Sequence, residues 1–158
     1  MAYLLLKCAV ILVTRPAHNI MNRKKILIVD DNAVVLKALA LALTQHDFDV
    51  VTALDGSVAV GMVRREKPDA IVLDISFPPS FGNVDWDGFR IMQWLKRVEE
   101  AKNVPFIVIT AGEAAKYRER AIEEGAAAFF QKPVNNNELV ATIQNLVGRT
   151  PAKPLPVA

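Results

Sequence analysis

Asp69-Ala70-Ile71-Val72-Leu73-Asp74 is the stretch whose reading decides the fold. Its apolar part is short, rich in branched residues and free of polar alternation, and it ends abruptly on a carboxylate. Such a run suits a strand buried on both faces of a parallel sheet. Turn formers follow at once: Ser76, Pro78, Pro79, Ser80 and Gly82. Ligands of open α/β sheets sit just beyond the carboxyl ends of the strands, so Asp74 would stand at the mouth of the sheet, where chemistry is possible. Taken alone, it could as well be an ordinary turn cap, a place where Asp is common. The rest of the chain decides.

Working outward, Ile26-Leu27-Ile28-Val29 is a second continuous apolar run, and it ends on two acids, Asp30 and Asp31. Asn32 or Asp31 can cap the helix that follows, because their side-chain oxygens satisfy free backbone N–H groups. Val35, Leu36, Leu39 and Leu43 give that helix a buried stripe. Asp49 to Ala53 reads as a strand and Asp55-Gly56 as a turn. Ser57 to Glu66 reads as a helix, with Val60 and Val63 inward, that stops before Pro68. Beyond the central strand, the spacing of Phe89, Met92, Leu95 and Val98 predicts a helix from Gly88 to Ala101. Pro105 to Ile109 is the fourth strand, ending on Thr110. The next helix runs from about Glu113 to Glu124, with Gly125 as its stop. Ala126 to Gln131 is the fifth strand, closing on Lys132-Pro133. Asn135 and Glu138 fit a capping-box variant for a last helix, Asn136 to Val147. Five strands alternating with five helices predict an α/β domain, a doubly wound parallel sheet covered on both faces.

A chain of 158 residues with 52% hydrophobic residues and a net charge of +2 can bury one core, and it is neither disordered nor strongly basic. The charge is too mild to argue for direct nucleic-acid binding. Cys8 is the only cysteine, which excludes an internal disulfide and suits a reducing compartment such as the cytoplasm. The apolar stretches before Arg15 fall short of the about 20 residues that span a bilayer, and they make a weak signal peptide. Met21 is read as the natural start, with residues 1–20 an upstream extension. The division is then residues 1–22 as extension, 23–148 as the domain and 149–158 as a Pro-rich tail. Nothing after Val147 is long enough for an output domain.

Four strand ends share one edge of such a sheet. They deliver Asp30 and Asp31, Asp74, Thr110 and Lys132. Two carboxylates about 5 Å apart repel by roughly 3 kcal/mol at an effective dielectric near 20. Three in one pocket therefore need a cation, a proton or a lysine among them, and Lys132 supplies one positive charge. Hard oxygen ligands without His or Cys select Mg²⁺ over zinc. Mg²⁺ also favours phosphate oxygens, so the site looks incomplete without a phosphoryl group. Asp74 is the carboxylate placed to accept one, with Lys132 and the Thr110 hydroxyl at its oxygens.

Together, Ile26-Leu27-Ile28-Val29-Asp30-Asp31-Asn32, Ile71-Val72-Leu73-Asp74, Ile107-Val108-Ile109-Thr110-Ala111 and Phe130-Gln131-Lys132-Pro133 resemble the receiver domain of bacterial two-component response regulators. The resemblance covers Lys24 to Val147. It implies a flavodoxin-like sheet in the strand order 2-1-3-4-5. Asp74 matches the phosphoacceptor, which takes its phosphoryl group from the histidine of a sensor kinase or of a histidine phosphotransfer protein. Asp30 and Asp31 match the acidic pair that holds Mg²⁺, with the Ser76 backbone carbonyl as a further ligand. Thr110 matches the hydroxyl residue that follows the phosphoryl group, and Lys132 the phosphate-contacting lysine, whose bond to the next proline is cis. Phe129 falls at the aromatic switch position. The implied output is a surface read by a downstream target protein, either directly or within a phosphorelay, with no direct nucleic-acid or membrane contact.

One stretch departs from the pattern. The loop from Phe77 to Trp86 is longer than the family's by about six residues, and strand-to-helix connections usually take about 2–6. Asp85 and Asp87 in it read as solvated loop acids. Three rival readings share parts of the signature. An aspartate-nucleophile phosphatase would want a second acid at the position of Ser76. A flavin-binding domain would want a phosphate cradle where Asp30-Asp31-Asn32 stands. A receiver-like interaction module would have no need of Asp74, Thr110 and Lys132 together.

Overall fold

The branched runs build the sheet. In the computed structural model, which describes residues 23–77 and 87–148, five parallel strands lie in the order β2-β1-β3-β4-β5. They are β1 Lys25–Val29, β2 Asp49–Ala53, β3 Ala70–Asp74, β4 Phe106–Thr110 and β5 Ala128–Gln131. Between them run α1 Ala33–Gln45, α2 Gly56–Glu66, α3 Gly88–Leu95, α4 Ala114–Glu123 and α5 Asn136–Val147. This is the doubly wound, flavodoxin-like α/β architecture that the alternation predicts. Residues 1–22 and 149–158, expected above to be an extension and a Pro-rich tail, and all of the Phe77 to Trp86 loop except Phe77 lie outside the described residues.

The strands lack polar alternation because both of their faces are covered. Ile26, Ile28, Val72, Ile107 and Ile109 pack on one side with Leu36, Leu39 and Leu43 of α1 and Leu139, Val140 and Ile143 of α5. Leu27, Val29, Ile71, Leu73 and Val108 pack on the other with Val63 of α2 and Phe89, Met92 and Leu95 of α3. Each of these side chains, moved fully out of water, contributes about 1.5–3 kcal/mol.

The register then lines up the strand ends. Val29 stands opposite Leu73, and Asp74 opposite Ile109. Thr110 stands opposite Gln131. Asp30 and Asp74, each one step past such a partner or at it, therefore reach the same edge, with Thr110 one step and Lys132 two steps further along.

Two helix and strand limits differ from the sequence expectation by more than one residue. α3 ends at Leu95 rather than Ala101, and residues Glu99–Ala101 form a short 3-10 turn. Val98 adopts an extended backbone between them, while its amide donates to the Leu95 carbonyl and that of Ala101 to Val98. The three-residue spacing of Leu95, Val98 and Ala101 is thus served by tight i→i−3 bonds rather than by a longer α-helix. β5 begins at Ala128 rather than Ala126. Gly125 has φ +83°, the left-handed conformation that glycine tolerates. The amides of Gly125 and Ala126 bond back to Ile122 and Ala121, a Schellman closure that keeps Ala126 with the helix.

Caps explain the remaining starts. Asn32, not Asp31, caps α1 and accepts from the amides of Val34 and Val35. Asp55 caps α2, and Asn135 accepts from the amides of Asn137 and Glu138 at α5. Asp87 is no plain loop acid: it caps α3 through the Arg90 amide and lies 3.5 Å from the Arg120 guanidinium. Among the described residues no helix is long and apolar enough to cross a membrane.

Candidate functional site

The acid pocket grows out of the ends of β1 and β3. The Asp30 amide donates to the Ala53 carbonyl, and its Oδ1 accepts from the Asn32 amide at 2.8 Å. Asp30 is fully buried, whereas its neighbour Asp31 is exposed. Asp74 is 3% exposed and its Oδ1 accepts from the Ser76 amide at 2.8 Å. Carboxylate oxygens of Asp30, Asp31 and Asp74 all lie within 4.8 Å of one another.

Lys132 reaches in from just past the end of β5, and its bond to Pro133 is cis, as the resemblance implies. Its Nζ donates to Asp30 Oδ2 at 2.7 Å and to Asp74 Oδ2 at 2.8 Å. Burial by itself would lower the lysine's pKa, but hydrogen bonds and attraction from the two carboxylates outweigh it and hold the ammonium above its ordinary value. Burial pushes the Asp30 carboxyl up, and the Asp74 charge adds to the rise. The bonds from Lys132 and the Asn32 amide offset this only in part. One ammonium among three carboxylates leaves the pocket short of positive charge. A hard divalent ion fits that shortage and that donor set. Mg²⁺ would be held by Asp30, Asp31 and Asp74.

The hydroxyl of Thr110, a fully buried residue, sits in a second polar group beside the first. Its Oγ1 accepts from the Gly112 amide at 3.0 Å and lies 2.8 Å from Ser76 Oγ. Phe129, one strand over, is 8% exposed and packs with the α2–α3 side of the core. The Arg118 guanidinium covers it, 5.0 Å from the ring centre. An open cleft of about 890 Å³ adjoins the acids, lined by Asp31, Ser76, Phe77, Lys116, Tyr117 and Arg120 among others.

The structure thus brings Asp30, Asp31, Asp74 and Lys132 into one pocket, joins Thr110 to it through Ser76, and sets Phe129 on the adjoining face. Two features were missed in the sequence: the side-chain role of Ser76 and the cover that Arg118 gives Phe129. Neither had a signal, since a loop serine and a helical arginine are common for many reasons.

A five-stranded 2-1-3-4-5 sheet with an acid–lysine pocket at its carboxyl edge defines a receiver-type α/β domain. The family model for the response regulator receiver domain matches residues 26–144. The response regulator PleD of Caulobacter vibrioides is 34% identical over 122 residues, which cover 77% of this chain and 26% of that protein. The response regulator MprA of Mycobacterium leprae is 33% identical over 126 residues, 80% of this chain and 52% of its own length. A CheY-like response regulator receiver domain from Methanospirillum hungatei superposes with a TM-score of 0.70 at 22% identity, covering 80% of this chain and 95% of that one. The chain belongs to the response regulator receiver family of two-component systems. It spans about a quarter of PleD and about half of MprA, so what those whole proteins do is not carried over to it.

Proposed function

We propose that residues 23–148 form a phospho-accepting domain that takes a phosphoryl group onto Asp74 from the histidine of a sensor kinase or of a histidine phosphotransfer protein. A carboxylate oxygen of Asp74 attacks the phosphorus of the phosphohistidine. The new O–P bond forms as the N–P bond breaks, and the imidazole leaves with that electron pair and takes up a proton. Lys132 holds Asp74 Oδ2 before transfer and is placed to meet a phosphoryl oxygen after it. Asp30, Asp31, Asp74 and the Ser76 backbone carbonyl would hold Mg²⁺, which supplies positive charge to the phosphoryl oxygens when bound. The transfer adds about −1.5 to −2 charges at Asp74. The Thr110 hydroxyl then turns to the phosphoryl group, and Phe129 repacks beneath α4. A downstream protein partner, in the cytoplasm, reads the altered surface. The domain serves as a signalling module whose only chemistry is its own phosphorylation and dephosphorylation, with no direct contact to nucleic acid or membrane.

The single observation that carries this reading is the Lys132 ammonium bridging two buried carboxylates beside a third. Incubation with acetyl phosphate and Mg²⁺, read by intact mass, tests it. One phosphoryl adduct is expected on the wild type, lost in Asp74→Asn and on adding a chelator. An unmodified wild-type mass would leave only a receiver-like interaction module.

A further inference from the structure

We propose that the Ser76 hydroxyl is a latch on Thr110, a positioning group that holds the switch hydroxyl in its resting place and so sets how readily the domain responds. The proposal rests on phosphoryl acceptance at Asp74. Ser76 is tied to both halves of the site. Its backbone amide donates to Asp74 Oδ1 at 2.8 Å, while its side-chain oxygen lies 2.8 Å from Thr110 Oγ1. The same Ser76 oxygen accepts from the Ala111 amide at 3.2 Å, and Thr110 Oγ1 accepts from the Gly112 amide. The hydroxyl of a fully buried threonine is thus held from two directions.

For Thr110 to reach a phosphoryl oxygen, the Ser76 bond must break. Ser76 itself is exposed, so water can replace its lost partner, and the cost is that of one ordinary net hydrogen bond. Such a bond shifts an equilibrium by about two- to tenfold. Removing the hydroxyl leaves the backbone amide on Asp74 untouched, which separates the latch from any structural role of the loop.

The test measures half-saturation by beryllofluoride, a phosphoryl mimic, with Mg²⁺ present, in the wild type, Ser76→Ala, Ser76→Thr and the same alanine change in a Thr110→Ala background. Ser76→Ala should bind about fivefold more tightly, within the range of one lost hydrogen bond, and Ser76→Thr, which keeps the hydroxyl, should stay near wild type. With Thr110 replaced by alanine, the Ser76 effect should vanish. Without any mimic, side-chain NMR couplings of Thr110 should show new rotamers in Ser76→Ala. Binding that is unchanged or weaker in Ser76→Ala, or a gain that persists without the Thr110 hydroxyl, would overturn the latch. A wild type that binds no mimic and takes no phosphoryl group overturns the reading of the site itself, and the latch with it.

Discussion

The two helices that flank β5 lie on opposite faces of the sheet and are held by different means. α5 has a side-chain cap, Asn135, on two free amides, and it buries Leu139, Val140 and Ile143. α4 starts at Glu113 with no side-chain cap bond and buries Ala121 alone. Ala114 and Tyr117 pack on the core only half-buried, and charge contacts at the surface add Arg120 over Phe89 and near Asp87, and Arg118 over Phe129. Exposed charge contacts of this kind contribute little, whereas buried aliphatic groups contribute the most. α4 is therefore the more weakly held of the two helices. α4 is also the helix joined to Thr110 through Ala111 and Gly112. The difference between the two helices separates a firmly held element from a loosely held one.

That contrast can be broken by measurement, most severely at the firmly held helix. Ile143 is fully buried in α5, and Ile143→Ala should cost about 2–5 kcal/mol in urea unfolding. Ile122 of α4 is 61% exposed, and its replacement by alanine should stay within about 0.5 kcal/mol. Similar losses at both sites would erase the distinction.

The caps give a smaller and opposite pair of effects. Asn135→Ala should destabilise by about 1 kcal/mol, and Glu113→Ser should stabilise by about 0.5–1 kcal/mol, since a serine oxygen can accept where Glu113 does not. Thermal midpoints read both. Native-state hydrogen exchange sharpens the comparison further: α4 amides should exchange ahead of α5 amides in the resting protein.

The buried acid at the end of β1 has its own vulnerability. Burial raises the Asp30 pKa, so its protonated form is favoured in the fold relative to the unfolded chain. That contribution is complete below the unfolded pKa and is lost as pH rises through the folded one. At neutral pH the buried charge therefore works against folding even with the Lys132 ammonium bound to it. Asp30→Asn should raise the midpoint in a chelator and abolish the further rise on adding Mg²⁺. A midpoint that falls in Asp30→Asn without metal would show that the Lys132 bridge outweighs burial.

Much of this was legible beforehand because each strand carries its own signature. Ile26 to Val29, Ile71 to Leu73 and Ile107 to Ile109 have no alternation, and only a sheet covered on both faces can take such runs. The polar residue that ends each run then falls on a common edge. The end of α3 was not legible, because Val98 and Ala101 satisfy both an α-helical stripe and a tighter turn. Asp87 was misread as a loop acid although the start of α3 at Gly88 was read correctly. An acid directly before a helix can either cap it or face water, and only the bond to the Arg90 amide decides.

The residues themselves determined the layered fold and which side chains could meet, since hydrophobic period and turn chemistry are local properties of the chain. They could not determine that Lys132 spans both Asp30 and Asp74, that Asp30 is buried while Asp31 faces water, or that Ser76 grips Thr110. Those facts depend on the register between strands distant in sequence. A displacement of one residue would exchange the faces of every side chain involved, so only the assembled sheet decides them.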